Sequence, residues 1–168
     1  MIDRRRAVRL ALAALPAALL GARAARAEQS FERLYPLLIE LPGWTGAKPD
    51  GMAMQLAGMS MMTATRKYTR GSAILNVGIL TGPPAQGGLA MIQTGMKLET
   101  PEVHMSVDMV DGMKLARTYT AKDQIGAIFV GLTDSALFSF AFTGVAEDEG
   151  LALAKRFDWK AMQAALPK

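Results

Sequence analysis

The stretch that decides the fold is Val103-His-Met-Ser-Val-Asp-Met-Val-Asp-Gly-Met-Lys-Leu-Ala-Arg-Thr-Tyr-Thr120. In its first half, valine and methionine alternate with histidine, serine and aspartate, which is the period-2 pattern of a strand with two different faces. Asp111-Gly112 follows, and an Asp-Gly pair between two such runs favours a tight hairpin turn. Because strands joined by so short a turn cannot be parallel, this stretch predicts an antiparallel sheet.

Further strands are predicted on both sides of this hairpin. Residues 125–132 are apolar on both faces, which is typical of a central strand, and residues 137–143 place three phenylalanines on one face. Residues 73–80 alternate in the same way, and they are expected to return along an extended run over residues 52–68.

Three segments have apolar residues at helical spacing, and they precede, separate and follow these strands. They cover residues 30–38, 84–98 and 147–157. Asp158 stands where it can cap a last helical turn. The order helix, two or three strands, helix, three or four strands, helix predicts an α+β fold. We therefore expect a single antiparallel β-sheet with two or three packed helices, in one domain over residues 28–168.

The first 27 residues have the pattern of a cleavable export signal. A basic start precedes an Ala- and Leu-rich run over residues 10–22, and a small-x-small site at Ala25 and Ala27 predicts cleavage after Ala27 by signal peptidase. The run is shorter than the ~20 apolar residues that span a bilayer, so no membrane span is expected in the mature chain. Arg4 and Arg5 stand in a pattern that resembles the twin-arginine signal. We expect a translocase to export the chain to the periplasm, by that route or by the general secretory route.

The basic character of the chain belongs to this signal. The whole chain is formally +4, but six of its 19 basic and one of its 15 acidic residues lie in the first 27. Residues 28–168 therefore carry a net charge of −1, which leaves no excess of cations for phosphates, and nucleic-acid binding is not expected. The absence of cysteine excludes disulfides, thiol nucleophiles and Cys-based metal sites.

Methionines form the most unusual cluster in the chain. Five of them stand within eleven positions, at Met52, Met54, Met59, Met61 and Met62. Residues two apart on a strand share a face at ~6.6 Å, near enough for two thioethers to reach one ion. Soft thioethers select Cu(I), which is the one cofactor that the sequence suggests. The alternative is packing, because methionine fills irregular cores and apolar surfaces, and Met105 and Met109 share an apolar strand face with valines.

No set of residues predicts catalysis. His104 is the only histidine, so a Ser-His-Asp triad would have to include it. Ser106 and Asp108 lie on the same strand face as His104, which is the wrong geometry for a nucleophile relay, and a metal site with two histidines is excluded. A hydrolase stays an alternative for which no site can be named.

Three different features mark the start, the middle and the end of the domain. Leu41-Pro-Gly-Trp44 precedes the first strands, Asp111-Gly112 makes a hairpin, and a helix with an apolar face closes the domain from Leu151 to Trp159. Together they resemble small exported or lumenal α+β domains of the PsbP/Mog1 type. That family includes binding and assembly proteins, largely without catalytic residues, so the resemblance implies a protein that is not an enzyme.

These observations together predict a non-catalytic periplasmic domain for binding or assembly. Its partner would be another periplasmic protein or a small apolar ligand. The alternatives are a Cu(I)-binding protein that uses the clustered methionines and a hydrolase.

Overall fold

Nine strands and three α-helices make up the part of the chain that the computed structural model describes, which is residues 31–56 and 58–167. The strands are β1 Thr45–Gly46, β2 Asp50–Leu56, β3 Met59–Arg70, β4 Ala73–Thr81, β5 Leu98–Glu99, β6 Val103–Val110, β7 Met113–Thr120, β8 Ile125–Thr133 and β9 Ala136–Thr143. The helices are α1 Gln86–Thr94, α2 Glu147–Ala154 and α3 Trp159–Ala165.

All nine strands belong to one antiparallel sheet. Their order is β1-β3-β4-β9-β8-β7-β6-β5, and β2 pairs with β3 beside β1. Each tight hairpin places neighbouring strands side by side, as in the pair β6–β7, where Asp111 and Gly112 have φ of +52° and +83°. Two positive φ values in a two-residue loop fit the twist of an antiparallel hairpin, so the turn predicted there is confirmed. The central pair β4–β9 joins the two halves of the chain.

The predicted balance of strands and helices is wrong. The α+β prediction expected five to seven strands, whereas strands hold 47% and helices 24% of the structure, which is mostly β. Two strands were missed because β1 and β5 have two residues each, too few for any periodicity. The extended run over residues 52–68 is two strands that reverse at Gly58, with φ of +81°, which accounts for the third strand that the prediction left open before the middle helix.

The main core lies on one side of the sheet, between the strands, α2, α3 and the segment that precedes β1. Phe138, Phe140 and Phe142 of β9 lie there, and all are at most 3% exposed. Phe138 packs with Trp159 of α3, and both Phe138 and Phe140 pack with Phe157, which lies between α2 and α3. A smaller cluster on the other side holds α1 on the sheet through Leu89 and Ile92. The three phenylalanines therefore face the core as their alternation predicted.

Helix α2 approaches the sheet closely at Phe142. A Cβ added to Gly126 of β8 would lie 2.2 Å from the ring of Phe142, and one added to Gly150 of α2 would lie 2.6 Å from it. The ring therefore fills the space that both glycines leave, and it sets the distance between helix and strand.

The segment before β1 is hydrogen-bonded to side chains of β3 and does not form a full helix. Its chain follows a short 3-10 turn over Tyr35–Leu37, where Pro36 cannot continue a helix, so the helix predicted over residues 30–38 is wrong in extent. Arg66 donates to the Leu38 carbonyl at 2.8 Å and pairs with Glu40, and the Tyr68 hydroxyl donates to the Ile39 carbonyl at 2.7 Å. Burial raises the pKa of Tyr68 to about 12.

The other helices differ from the prediction at their ends. Helix α1 stops at Thr94 because Gly95 takes a left-handed conformation, with φ of +62°, so it does not reach Leu98. Helix α2 stops at Ala154, and α3 begins after Asp158, whose carboxylate accepts the Ala161 N–H at 2.9 Å as predicted for a cap. Among the described residues, no helix has the length and apolar character needed to cross a membrane.

Candidate functional site

The sheet has one side that is only partly covered. Helix α1 packs on β7, β8 and β9, on the side away from α2 and α3. Beside it, the same side of β2, β3 and β4 stays largely exposed, and we call this surface the open face. Its outward residues on β3 run from Met59 through Met61, Thr63 and Thr65 to Lys67, in register with β2 and β4.

Four of the five predicted methionine ligands meet on the open face. Met54 of β2 lies directly opposite Met61 of β3, and Met52 and Met59 are their diagonal neighbours. Opposite Cβ atoms in such a pair lie ~4.5–5.5 Å apart and diagonal ones within ~8 Å, which long side chains can bridge. Met52, Met54 and Met59 are 44%, 45% and 57% exposed, and Met61 is half-buried. The four thioethers therefore form one surface cluster, which we call the methionine cluster.

Met62 does not belong to this cluster. It follows Met61 on β3, so it points to the other side of the sheet, where it is 4% exposed and packs in the main core. Its inclusion in the predicted Cu(I) site is wrong for that reason.

Exposed apolar side chains are concentrated on the α1 side of the sheet. Seven large hydrophobic residues are strongly exposed in the described part of the chain, and six of them lie on strands. The register of the strands places all six on that side: Met52, Met54, Met59, Leu98, Met109 and Ile125. The other side of the sheet is covered by the main core, so these residues lie on the side that the helices leave partly open.

The exposure of Met109 contradicts the prediction that its strand face packs in the core. Val107 packs beneath α1, but Met109 lies beyond the end of that cover and is 63% exposed. The alternation on β6 was predicted correctly, whereas the coverage of its apolar face depends on where α1 ends.

The polarity of the open face changes along the strands. Residues near one end are polar, with Asp50 on β2, Lys67 on β3 and Asn76 on β4. At the other end lie the methionine cluster and Leu80. Because the three strands are in register, the face as a whole has a polar end and an apolar end.

A cavity of about 390 Å³ lies over the polar half of this face. That volume falls within the range of small-molecule sites, which is roughly 300–1,000 Å³. Small side chains form its floor, with Gly78 of β4 and Ser139 and Ala141 of β9, so the sheet surface is concave there.

Two lysines border this cavity. Lys67 lies directly opposite Asn76, and the Ala47 N–H donates to the Lys67 carbonyl at 2.8 Å, which brings the loop with Lys48 beside it. Asp50 is the acidic residue of the rim, and its carboxylate accepts the Gly51 N–H at 2.8 Å. These residues were not predicted as a site from the sequence, although the change from polar to apolar residues at alternate positions from Lys67 to Met59 indicates such a face.

The side chains near His104 form a separate polar cluster on the core side of β6. His104 Nδ1 lies 2.8 Å from Glu147 Oε2, whereas the Ser106 hydroxyl donates to Asp108 at 2.8 Å and accepts from Arg117 at 2.7 Å. They line a cavity of about 400 Å³. The pairing leaves Ser106 bonded to Asp108 and Arg117 rather than to the imidazole, so the geometry is not that of a triad.

The remaining predicted site residues lie outside the described part of the chain. They are Arg4 and Arg5 of the proposed signal and Ala25 and Ala27 of its cleavage site. Within residues 31–56 and 58–167, no three histidine, aspartate or glutamate side chains are grouped so that they could hold a metal ion. The methionine cluster is the donor set to which the Cu(I) hypothesis is now restricted.

No family model, no curated protein and no solved structure matches the chain.

Proposed function

We propose that this protein is a non-catalytic binding domain of the periplasm and that it binds its ligand on the open face. The observation that carries the proposal is the clustering of exposed apolar side chains on this face, where Met52, Met54 and Met59 lie beside Met61. The methionine cluster suits such a role, since flexible, polarizable side chains adapt to apolar molecules of different shape. The export signal and the resemblance to PsbP/Mog1 domains are consistent with this proposal.

A neutral apolar fluorophore, N-phenyl-1-naphthylamine, tests the proposal with the purified protein. We expect its fluorescence to rise on binding, and we expect a Met52→Gln, Met54→Gln, Met59→Gln variant to lose most of that signal. Met96→Gln is the matched control, since Met96 is 53% exposed but lies after α1 and off the sheet. A probe that fails to bind, or that binds the triple variant as well as the original, would contradict the proposal.

A Cu(I) site is the second candidate, and a specific observation favours it. Met54 and Met61 face each other across β2 and β3, and two further thioethers lie diagonally beside them. Three or four thioethers from one surface are a soft donor set of the kind that selects Cu(I) over harder ions.

Titration with Cu(I) under reducing conditions, against a chromogenic chelator, separates this candidate from the first. If the site exists, the dissociation constant is below micromolar, and Met54→Leu and Met61→Leu weaken it. Met62→Leu is the control, because Met62 points to the core and leucine conserves most of its volume. A dissociation constant weaker than micromolar, or equal weakening by all three substitutions, would contradict a copper role.

A further inference from the structure

We infer that the ligand of the open face is an elongated amphipathic anion, such as a molecule with a hydrocarbon chain and one carboxylate. The inference rests on the proposed function and names the chemical class of its ligand. Two features carry it: the in-register change from polar to apolar residues along β2, β3 and β4, and the two lysines at the polar end.

The polar end of the face has the groups that recognise an anion. Lys67 and Asn76 lie directly opposite each other, and both are exposed. Lys48 is held beside them through the bond from Ala47 to the Lys67 carbonyl. Lysine ammonium groups and a carboxamide N–H are donors to a carboxylate, and charge-assisted bonds of this kind are stronger than neutral ones.

The charges around the cavity favour an anion over a cation. Lys48, Lys67 and Arg66 contribute positive charge to its lining and Asp50 contributes negative charge. The Arg66 guanidinium is already occupied by Glu40 and by the carbonyls of Leu38 and Ala47. The two lysines against one aspartate leave an excess of one positive charge for a ligand.

The distance along the face fits an elongated molecule. Lys67 and Met59 are eight residues apart on β3, which corresponds to ~26 Å at about 3.3 Å per residue. Between them, the face passes the concave floor at Gly78 and then the methionine cluster. A carboxylate at Lys67 would therefore direct a hydrocarbon chain over the floor and toward Met61 and Met54.

Displacement of the neutral fluorophore by three twelve-carbon amphiphiles tests this inference. Dodecanoate, 1-dodecanol and dodecyltrimethylammonium are compared below their aggregation limits, with the purified protein and with Lys67→Met. We expect dodecanoate to bind most tightly, and we expect Lys67→Met to weaken dodecanoate about tenfold while 1-dodecanol is unchanged. Lys160→Met is the matched control, since it removes a surface charge on α3, away from the open face, and should alter neither ligand.

The outcomes separate this inference from the proposed function. If 1-dodecanol or the cation displaces the fluorophore as well as dodecanoate does, or if Lys67→Met weakens all ligands equally, the anion inference is overturned while apolar binding on the open face stands. If the fluorophore itself does not bind the open face, the proposed function is overturned, and the inference with it.

Discussion

The substitutions Met62→Ala and Met59→Ala test whether β3 has the two faces described. Met62 points to the main core and is 4% exposed, whereas Met59 points to the open face and is 57% exposed. Both substitutions remove the same atoms from the same strand. Their difference in cost therefore reports the difference in environment alone.

The expected magnitudes follow from these exposures. Burying a whole methionine side chain contributes about 1.5–3 kcal/mol, and truncation in a core adds a cavity term, so we expect Met62→Ala to lower the free energy of unfolding by about 3–4 kcal/mol. Met59 buries less than half of its surface, and no closed cavity is left at the surface. Met59→Ala should therefore cost about 1 kcal/mol or less.

Urea unfolding measures the cost of both alanine substitutions. Tryptophan fluorescence is the signal, because Trp44 and Trp159 are both buried in the main core. With a slope of about 1–3 kcal/mol per molar urea, the Met62→Ala midpoint should fall by about 1–4 M. Met62→Leu is the control for a change of shape without a large cavity, and it should cost less than about 1.5 kcal/mol.

Equal costs for the two alanine substitutions, or a larger cost for Met59→Ala, would refute the reasoning. A shift of one residue in strand register moves every side chain to the other face. Such a result would therefore also remove the open face on which both the binding proposal and the Cu(I) alternative depend.

Three further predictions concern the packing of the helices and of Tyr68. Gly150→Ala should destabilise the protein by at least about 1–3 kcal/mol in urea unfolding, because the new Cβ would lie 2.6 Å from the Phe142 ring. Gly87→Ala in α1 has no atom within 4 Å of the new Cβ and should instead be neutral or stabilising by up to about 1 kcal/mol. Asp158→Ala removes the cap that accepts the Ala161 N–H and should cost about 1 kcal/mol, whereas no change in the melting temperature would show that the cap is unimportant. The pKa of Tyr68 rises from 10.0 to about 12 on folding, so its phenol keeps its proton while the unfolded chain loses it. Unfolding free energy should therefore fall between pH 10 and about 12, and this fall should be smaller in Tyr68→Phe; parallel pH profiles for the two proteins would contradict the role assigned to burial.

Much of the fold could be predicted from local patterns. The Asp111-Gly112 turn, the three phenylalanines of β9 and the cap at Asp158 each depend on residues that are near neighbours in the sequence, and each was predicted correctly. The strands β1 and β5 could not be predicted, because two residues pair with a distant strand and have no periodicity of their own. The reversal at Gly58 was left open between two and three strands, because glycine is compatible with both a strand interruption and a turn.

The candidate site was predictable only in part. The methionines are conspicuous by their number, and the period-2 rule by itself separates Met62 from Met61. The sequence could not show that Met52 and Met54 lie beside Met59 and Met61, because the turn that sets this pairing was predicted as extended chain. Prediction of the cavity would have required contacts between residues that lie still farther apart in the sequence. Its floor combines Gly78 of β4 with Ser139 and Ala141 of β9, which are some sixty residues apart and meet only because the two strands pair.

The sequence by itself determined the antiparallel strands, their alternation and the supply of methionines, since these follow from turn chemistry and from period-2 patterns within short segments. Only the tertiary structure decided which apolar faces are covered. Helix α1 packs on β7, β8 and β9 and leaves β2, β3 and β4 exposed, so identical methionines become core at Met62 and surface at Met59. The physical reason is that alternation creates two faces on every strand, while burial depends on what the rest of the chain places against each face.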